Sequence, residues 1–315
     1  FGLIIFGLIH THKNNHPTWN TAILGVLVLL IGYSSYSTVI VRANTNTPIN
    51  IGSPDDPLKL ASYLQRDQYG DWPIVSGQNY NEKFPFVNPL PNPDETNVYA
   101  KNKEKDIYEI VAKRPEYKYP KSGFFPRMWS DQKTQGYERW RRANGKNPKS
   151  KIKFGENLKF FFDYQIGWSY MRYFMWNFAG KQNDVQGHGG FLNGNWLSGI
   201  DDIDKLRLGN RSELTQEMKD NKGLNKFFYL PLILGLIGLI FQITRDPKGA
   251  SVVTLLFIMT GIAIVVYLNQ TPMQPRERDY AYVGSFYAFA MWIGLSVIAL
   301  FESARSREEW NCVRR

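Results

Sequence analysis

Four long runs without a charged residue dominate the chain: Thr21–Val41 with 21 residues, Phe227–Thr244 and Ser251–Leu268 with 18 each, and Tyr280–Phe301 with 22. About 20 apolar residues carry a helix across the hydrocarbon core of a bilayer. All four runs are predicted transmembrane helices, the two shorter ones near the lower limit. They stand apart from one long polar middle, which is not how a soluble core distributes its apolar residues. Mean hydropathy is only −0.36, because that average mixes blocks of opposite character. The expected fold class is therefore mainly α, a polytopic membrane protein with a large loop-rich insertion between its transmembrane helices.

Four segments follow. Residues 1–42 hold an apolar run too short to span, Phe1–Ile9, then a polar loop His10–Asn20 and the first full span. Residues 43–226 form the insertion, 227–302 a three-helix membrane segment, and 303–315 a polar, ragged end. Because the chain opens inside an apolar run, it is expected to be a piece of a longer polytopic protein.

The net charge of +10 is concentrated. Between Lys101 and Lys153 stand 16 Lys and Arg against 6 Asp and Glu, enough to account for all of it. No nucleic-acid-binding motif or aromatic platform accompanies this excess, so nucleic acid is not expected as a partner. Anionic lipid head groups or a lipid-linked phosphate suit the flanking spans better, and plain solvation of a charged face accounts for it equally well. The single cysteine, Cys312, precludes an internal disulfide. His10, His12 and His16 lie in a polar loop without a neighbouring carboxylate or thiolate, a pattern that does not predict a metal site.

Inside the insertion, Pro57–Gly70 reads as an amphipathic helix with Gly70 as its stop. Pro85, Pro89, Pro91, Pro93, Pro115, Pro120 and Pro126 then punctuate an aromatic-rich stretch, expected to be ordered but irregular. Leu158–Ala179 is long enough to span, yet Asp163, Gln165, Arg172 and Asn177 interrupt it. Its Phe, Tyr and Trp content predicts a helix at the membrane surface or packed over the span bundle, with a fifth span as the alternative. In that alternative Arg172 needs a partner. The following Gly180–Gly209 is rich in Gly, Asn and Asp. It reads as a turn-rich surface loop or as a hydroxyl-binding surface, without the calcium-loop or phosphate-loop patterns.

The last two runs meet at Asn269–Phe286, NQTPMQPRERDYAYVGSF. Pro272 and Pro275 forbid a continuous helix, and Arg276, Glu277, Arg278 and Asp279 follow at once. Two readings stand: a solvated turn whose charges pair with each other, or a polyanion site using arginine forks at the membrane boundary. Arg245 and Lys248 between the middle runs, with Arg305, Arg307, Arg314 and Arg315 after the last, point to the cytoplasm. Residues 43–226 and 269–279 then share the opposite, extracytoplasmic face.

The stretches LASYLQRDQYG, YMRYFMWNFAGKQNDVQG, GNWLSGIDDID, LPLILGLIGL and YLNQTPMQPRERDYAYVGSFYAFAMWIGL resemble the Bacteroidetes-type membrane proteins of the transmembrane-protein-260-like group, glycosyltransferase family 117. The resemblance covers most of residues 1–302. It implies part of a GT-C helical bundle in a bacterial inner membrane. It also implies transfer of a sugar from a polyprenyl-phosphate donor to an extracytoplasmic acceptor, protein O-mannosylation among the forms this takes. No other cofactor is implied, and the acidic catalytic residue of such enzymes belongs to an early loop not found in this sequence. Arg276 and Arg278, flanked by Glu277 and Asp279, become candidates for the lipid phosphate, with Arg172 as another. Asn183, Asp184 and Trp196 become candidate sugar or acceptor contacts. A transporter or flippase, and a non-catalytic membrane scaffold, remain the competing classes.

Overall fold

A computed structural model of the chain describes residues 2–45, 47–65, 67, 74–82, 95–102, 105, 107–115 and 123–313. Gly70, Pro85, Pro89, Pro91, Pro93, Pro120, Arg314 and Arg315 lie outside the described residues. The chain divides into two compact units, residues 1–72 with 85–118, and residues 73–84 with 119–315.

In the first unit, helix α1 (Gly2–Lys13) turns back through three residues into α2 (Pro17–Ser34), with Pro17 at the first helical position, where its missing N–H costs nothing. The predicted loop His10–Asn20 is thus mostly helix. Local bonds explain it: the Asn20 amide donates to Leu8 O and Thr11 Oγ1, at 2.9 and 3.0 Å, and so closes the hairpin. α2 runs through Ser35 into α3 (Tyr36–Ala43), and Pro17–Ala43 is a 27-residue candidate span. Asp56 then caps α4 (Pro57–Gln65), accepting from the Leu58 and Lys59 amides at 2.9 Å. α4 packs on an antiparallel hairpin of strands Glu95–Asn102 and Ile107–Pro115, whose register shifts at Val98/Tyr99.

The second unit contains the other spans. Its extramembrane part is α5 (Thr134–Ala143) against α6 (Phe154–Phe160), around a core of Tyr80, Met128, Tyr137, Ile152 and Phe160. Arg141 is fully buried there, tied to Glu156 at 2.9 Å and to the carbonyls of Pro148 and Ser150 at 2.8 and 3.0 Å. α6 continues as a π-helical segment, Phe161–Met171, and then as α7 (Arg172–Phe178). After a Gly/Asn-rich loop come α8 (Asp201–Leu208) and the single turn α9 (Gln216–Lys219). Asp201 and Asp202 open α8. Asp204, fully buried, accepts from the Ser198 and Gly199 amides at 2.8 and 3.1 Å.

The apolar helices are α10 (Leu230–Arg245), α11 (Pro247–Thr260) broken from α12 (Ile262–Leu268) at Gly261, and α13 (Val283–Val313). Pro247–Leu268 and Asp279–Arg305 are long and apolar enough to cross a bilayer. α10 is shorter than the sequence predicts. Its 16 residues rise about 24 Å, short of the roughly 30 Å hydrocarbon core. The chain at Phe228 and Tyr229 takes positive φ values and turns before the helix begins. Among the described residues three candidate spans and one shorter apolar helix therefore stand in place of the four predicted spans.

α10 and α13 run parallel and close together. A Cβ on Gly238 would collide with the Trp292 carbonyl, and Arg245 meets Glu302 at 2.6 Å at the far end. Of the other intramembrane glycines, Gly235 faces Phe289 and Gly261 admits Tyr170, whereas Gly294 faces open space. Leu158–Ala179 lies over this bundle: Phe174 and Phe178 pack on Phe289 with centroids 4.8 and 4.5 Å apart. It is not among the described helices long and apolar enough to span.

Candidate functional site

The end of α12 and the start of α13 bracket the corner, residues 269–282. Asn269 ends α12 in the left-handed conformation, and a short 3₁₀ turn, Asp279–Tyr282, leads into α13. The corner is braced from three sides. Trp129 Nε1 donates to Asn269 O at 2.9 Å, Gly136 of α5 admits Pro272 where a side chain would clash, and buried Gln165 donates to Asn269 Oδ1 and Gln270 O at 2.9 and 2.8 Å. The π-helical stretch supplies that last contact. Such insertions recur at functional sites because they re-aim side chains within a helix.

At the centre, Arg172 and Glu277 form a two-pronged pair: Nη2 to Oε2 at 2.7 Å and Nη1 to Oε1 at 3.2 Å. Arg172 is 3% exposed. Its other donors go to Trp168 O and Gly194 O at 2.9 and 2.7 Å. The guanidinium also lies 4.1, 4.3 and 4.6 Å from the ring centres of Trp168, Tyr173 and Trp176. This is the partner that an arginine on an aromatic helix requires, found 105 residues along the chain. Tyr173 Oη donates to Glu277 Oε2, and the Gly187 amide donates to Oε1 at 3.0 Å. Burial pushes the Glu277 carboxyl up, but Arg172, the Tyr173 hydroxyl and the Gly187 amide outweigh it and hold the group below its ordinary value. Burial pushes Tyr164, beside it, up to about 12.

Glu277 is therefore committed to Arg172 and does not neutralise its sequence neighbours. Among the described residues no carboxylate lies within ion-pair distance of Arg276 or Arg278. Arg276 is exposed, its Nη2 3.1 Å from Tyr280 Oη. Arg278 is half-buried; its backbone amide donates to Tyr173 Oη at 3.0 Å, and its Nε is buried without a partner. Gln270 Nε2 and Gln165 Oε1 are likewise buried without partners. Gln270 and Arg278 line a cavity of about 10 Å³, room for about one water. The cavity's other walls are Tyr164, Arg172, Glu277 and the segment Gln186–His188. Gln186 Nε2 donates to Gln274 O at 2.5 Å, so this Gly-rich segment is pinned onto the corner.

The remaining sequence candidates divide. Asp279 is half-buried at the head of the 3₁₀ turn. Asn183 is buried and turned inward, donating to Leu192 O at 3.1 Å and accepting from the Gly194 amide at 2.9 Å, so it shapes the loop. Asp184 is exposed, accepting from Asn221 at 3.1 Å. One face of Trp196 is covered by the Arg207 guanidinium, 3.7 Å from its ring centre. The structure thus gathers Arg172, Glu277, Arg276 and Arg278 and leaves Trp196 and Asp184 elsewhere. Tyr173, Gln165, Gln270 and Gln186 belong to the site and carry no sequence signal of their own, apart from Tyr173 following Arg172. Among the described residues no group of three or more His, Cys, Asp or Glu side chains forms a metal site.

A family of unknown function, DUF8416, matches residues 70–162. No curated protein and no solved structure matches the chain.

Proposed function

We propose that the chain is part of a membrane glycosyltransferase that takes a sugar from a polyprenyl-phosphate donor, and that its corner at 269–282 holds the phosphate. The observation that carries this reading is the division of charges at the corner. Arg172 and Glu277 neutralise each other in the interior, which leaves Arg276 and Arg278 as positive charge at the end of two membrane-length helices. A lipid-linked phosphate presents its oxygens at that depth, and guanidinium forks match phosphate oxygens. When the sugar leaves, charge grows on the phosphate, and fixed donors aimed at it stabilise the transition state. Arg278 Nε and Gln270 Nε2 are buried donors beside a cavity with room for about one water, so they can hold a water beneath the phosphate and not the phosphate itself. Arg172 acts through Glu277, as a positioning residue. The reading assigns phosphate binding to the corner, and no catalytic acid or base.

The test is transfer of radiolabelled sugar from polyprenyl-phosphate donors in membranes carrying the protein. Removing one donor of this kind lowers turnover by about 10²–10³-fold, and Arg278→Gln is expected to do so at unchanged expression. Arg276→Gln, at the exposed rim, is expected to cost less. Full activity in both variants overturns the reading.

A further inference from the structure

A second concavity lies in the first unit, between α4 and the hairpin, and it differs in chemistry from the corner. Its volume is about 360 Å³, and it is lined by Tyr63, Tyr99, Asn97, Ser62, Gln65 and Asp67 among others. That size falls within the roughly 300–1,000 Å³ of small-ligand sites. Tyr63 and Tyr99 keep 38% and 45% of their surface exposed although each belongs to a packed element. Tyr99 sits where the strand register shifts, the local irregularity that re-aims a side chain.

The described lining residues suit two ligand classes poorly. Lys59 is the one cation among the described residues lining the groove, and its ammonium is held by Asp55 at 2.7 Å and Asp56 at 3.6 Å. Among the described lining residues a phosphate or other anion finds no uncommitted positive charge. Asp67 accepts from Ser62 Oγ at 2.7 Å and is an acceptor at the groove's edge. An acyl chain would meet Asn97, Ser62, Gln65 and Asp67, whose polar atoms it cannot satisfy. What remains is a neutral ligand with an apolar face for an aromatic ring and a polar edge for amides, a hydroxyl and a carboxylate.

We infer that this groove binds a neutral saccharide, one C–H face stacked on Tyr63 or Tyr99 and its hydroxyls bonded to Asn97, Gln65 and Asp67. The inference does not rest on the corner's role in sugar transfer, since the two sites share no residue.

Saturation-transfer NMR on the full chain in detergent, with neutral tetrasaccharides of mannose, glucose and N-acetylglucosamine as probes, tests it. Saturable binding by at least one series is expected, insensitive to added salt because no charge is matched. The Tyr63→Ala/Tyr99→Ala double variant is expected to weaken it by about tenfold or more, and Tyr63→Phe/Tyr99→Phe to retain it, since the ring face remains. Asn97→Ala, on an exposed strand position, checks the polar edge without touching the rings, and is expected to weaken binding as well. Absence of saturable binding in all three series overturns the inference, as does unchanged affinity in the double alanine variant. Sugar transfer in Arg278→Gln is read separately, so failure of one site leaves the other standing.

Discussion

The Arg172–Glu277 pair shows how a single charge organises its surroundings. An arginine 3% exposed is tolerable only with its charge matched and its donors satisfied, and the pair meets both conditions through three rings, two carbonyls and a carboxylate. Removing one partner leaves the other buried and uncompensated, at a cost of about 3–5 kcal/mol. Arg172→Ala is expected to lose that much in denaturant unfolding of the detergent-solubilised protein, and Arg172→Met/Glu277→Leu to recover most of it. A double variant as unstable as the single one would show that the pair contributes through more than its charges. Acid should act on the same contact. Because the folded Glu277 titrates below its unfolded value of about 4.3, its contribution is complete above that value and is lost as pH falls through the lower folded value. The thermal midpoint of the wild type should therefore drop below roughly pH 4 more steeply than that of Glu277→Gln, which has no such proton to bind. Part of this was legible in the sequence: it calls for a partner to Arg172 only if Leu158–Ala179 spans, and the structure supplies one although that stretch is not among the candidate spans. That Glu277 is the partner was not legible, since that depends on how a π-helical turn meets a proline-bounded corner.

At the scale of elements, the apolar runs located the helices well and measured them less well. Runs of uncharged residues mark where a helix can lie, but its ends follow backbone geometry. The positive φ at Phe228 and Tyr229 shortens α10, and the Thr11–Asn20 bonds lengthen α1 into its predicted loop. The glycines are legible in the same partial way. Gly238 lets α10 approach the α13 backbone, where a methyl group would strike the Trp292 carbonyl, while Gly294, alike in sequence setting, touches nothing. Gly238→Ala must push the two helices apart, and overpacking of this kind costs about 1–3 kcal/mol. Gly294→Ala should be neutral or slightly stabilising, since alanine favours helix. Resistance to SDS-induced unfolding, measured on both variants, separates the two; equal loss in both would show that α10 and α13 are not in register as described.

For the whole molecule, the second unit sets the two ends of its helices apart in chemistry. At one end lie the corner, the Gly-rich segment and the loop before α10; at the other, the α10–α11 turn with Arg245 and Lys248. Positive residues in short loops are retained on the cytoplasmic side, because moving them across the hydrocarbon is costly, and the α10–α11 turn is such a loop. On that rule the corner is expected outside the cytoplasm, the side that the proposed use of a lipid-linked sugar requires. Cys312 is the only native thiol, so a Cys312→Ser background gives a clean labelling experiment. Lys222 and Lys248 are both exposed and lie at opposite ends of the unit. With a membrane-impermeant maleimide on intact cells, Lys222→Cys is expected to react at once, and Lys248→Cys only after permeabilisation. The reverse pattern would turn the corner toward the cytoplasm and remove it from the donor sugar. Equal labelling of both before permeabilisation would mean that the helices between them do not cross, and the reading of the corner as a membrane-boundary phosphate site would fall with them.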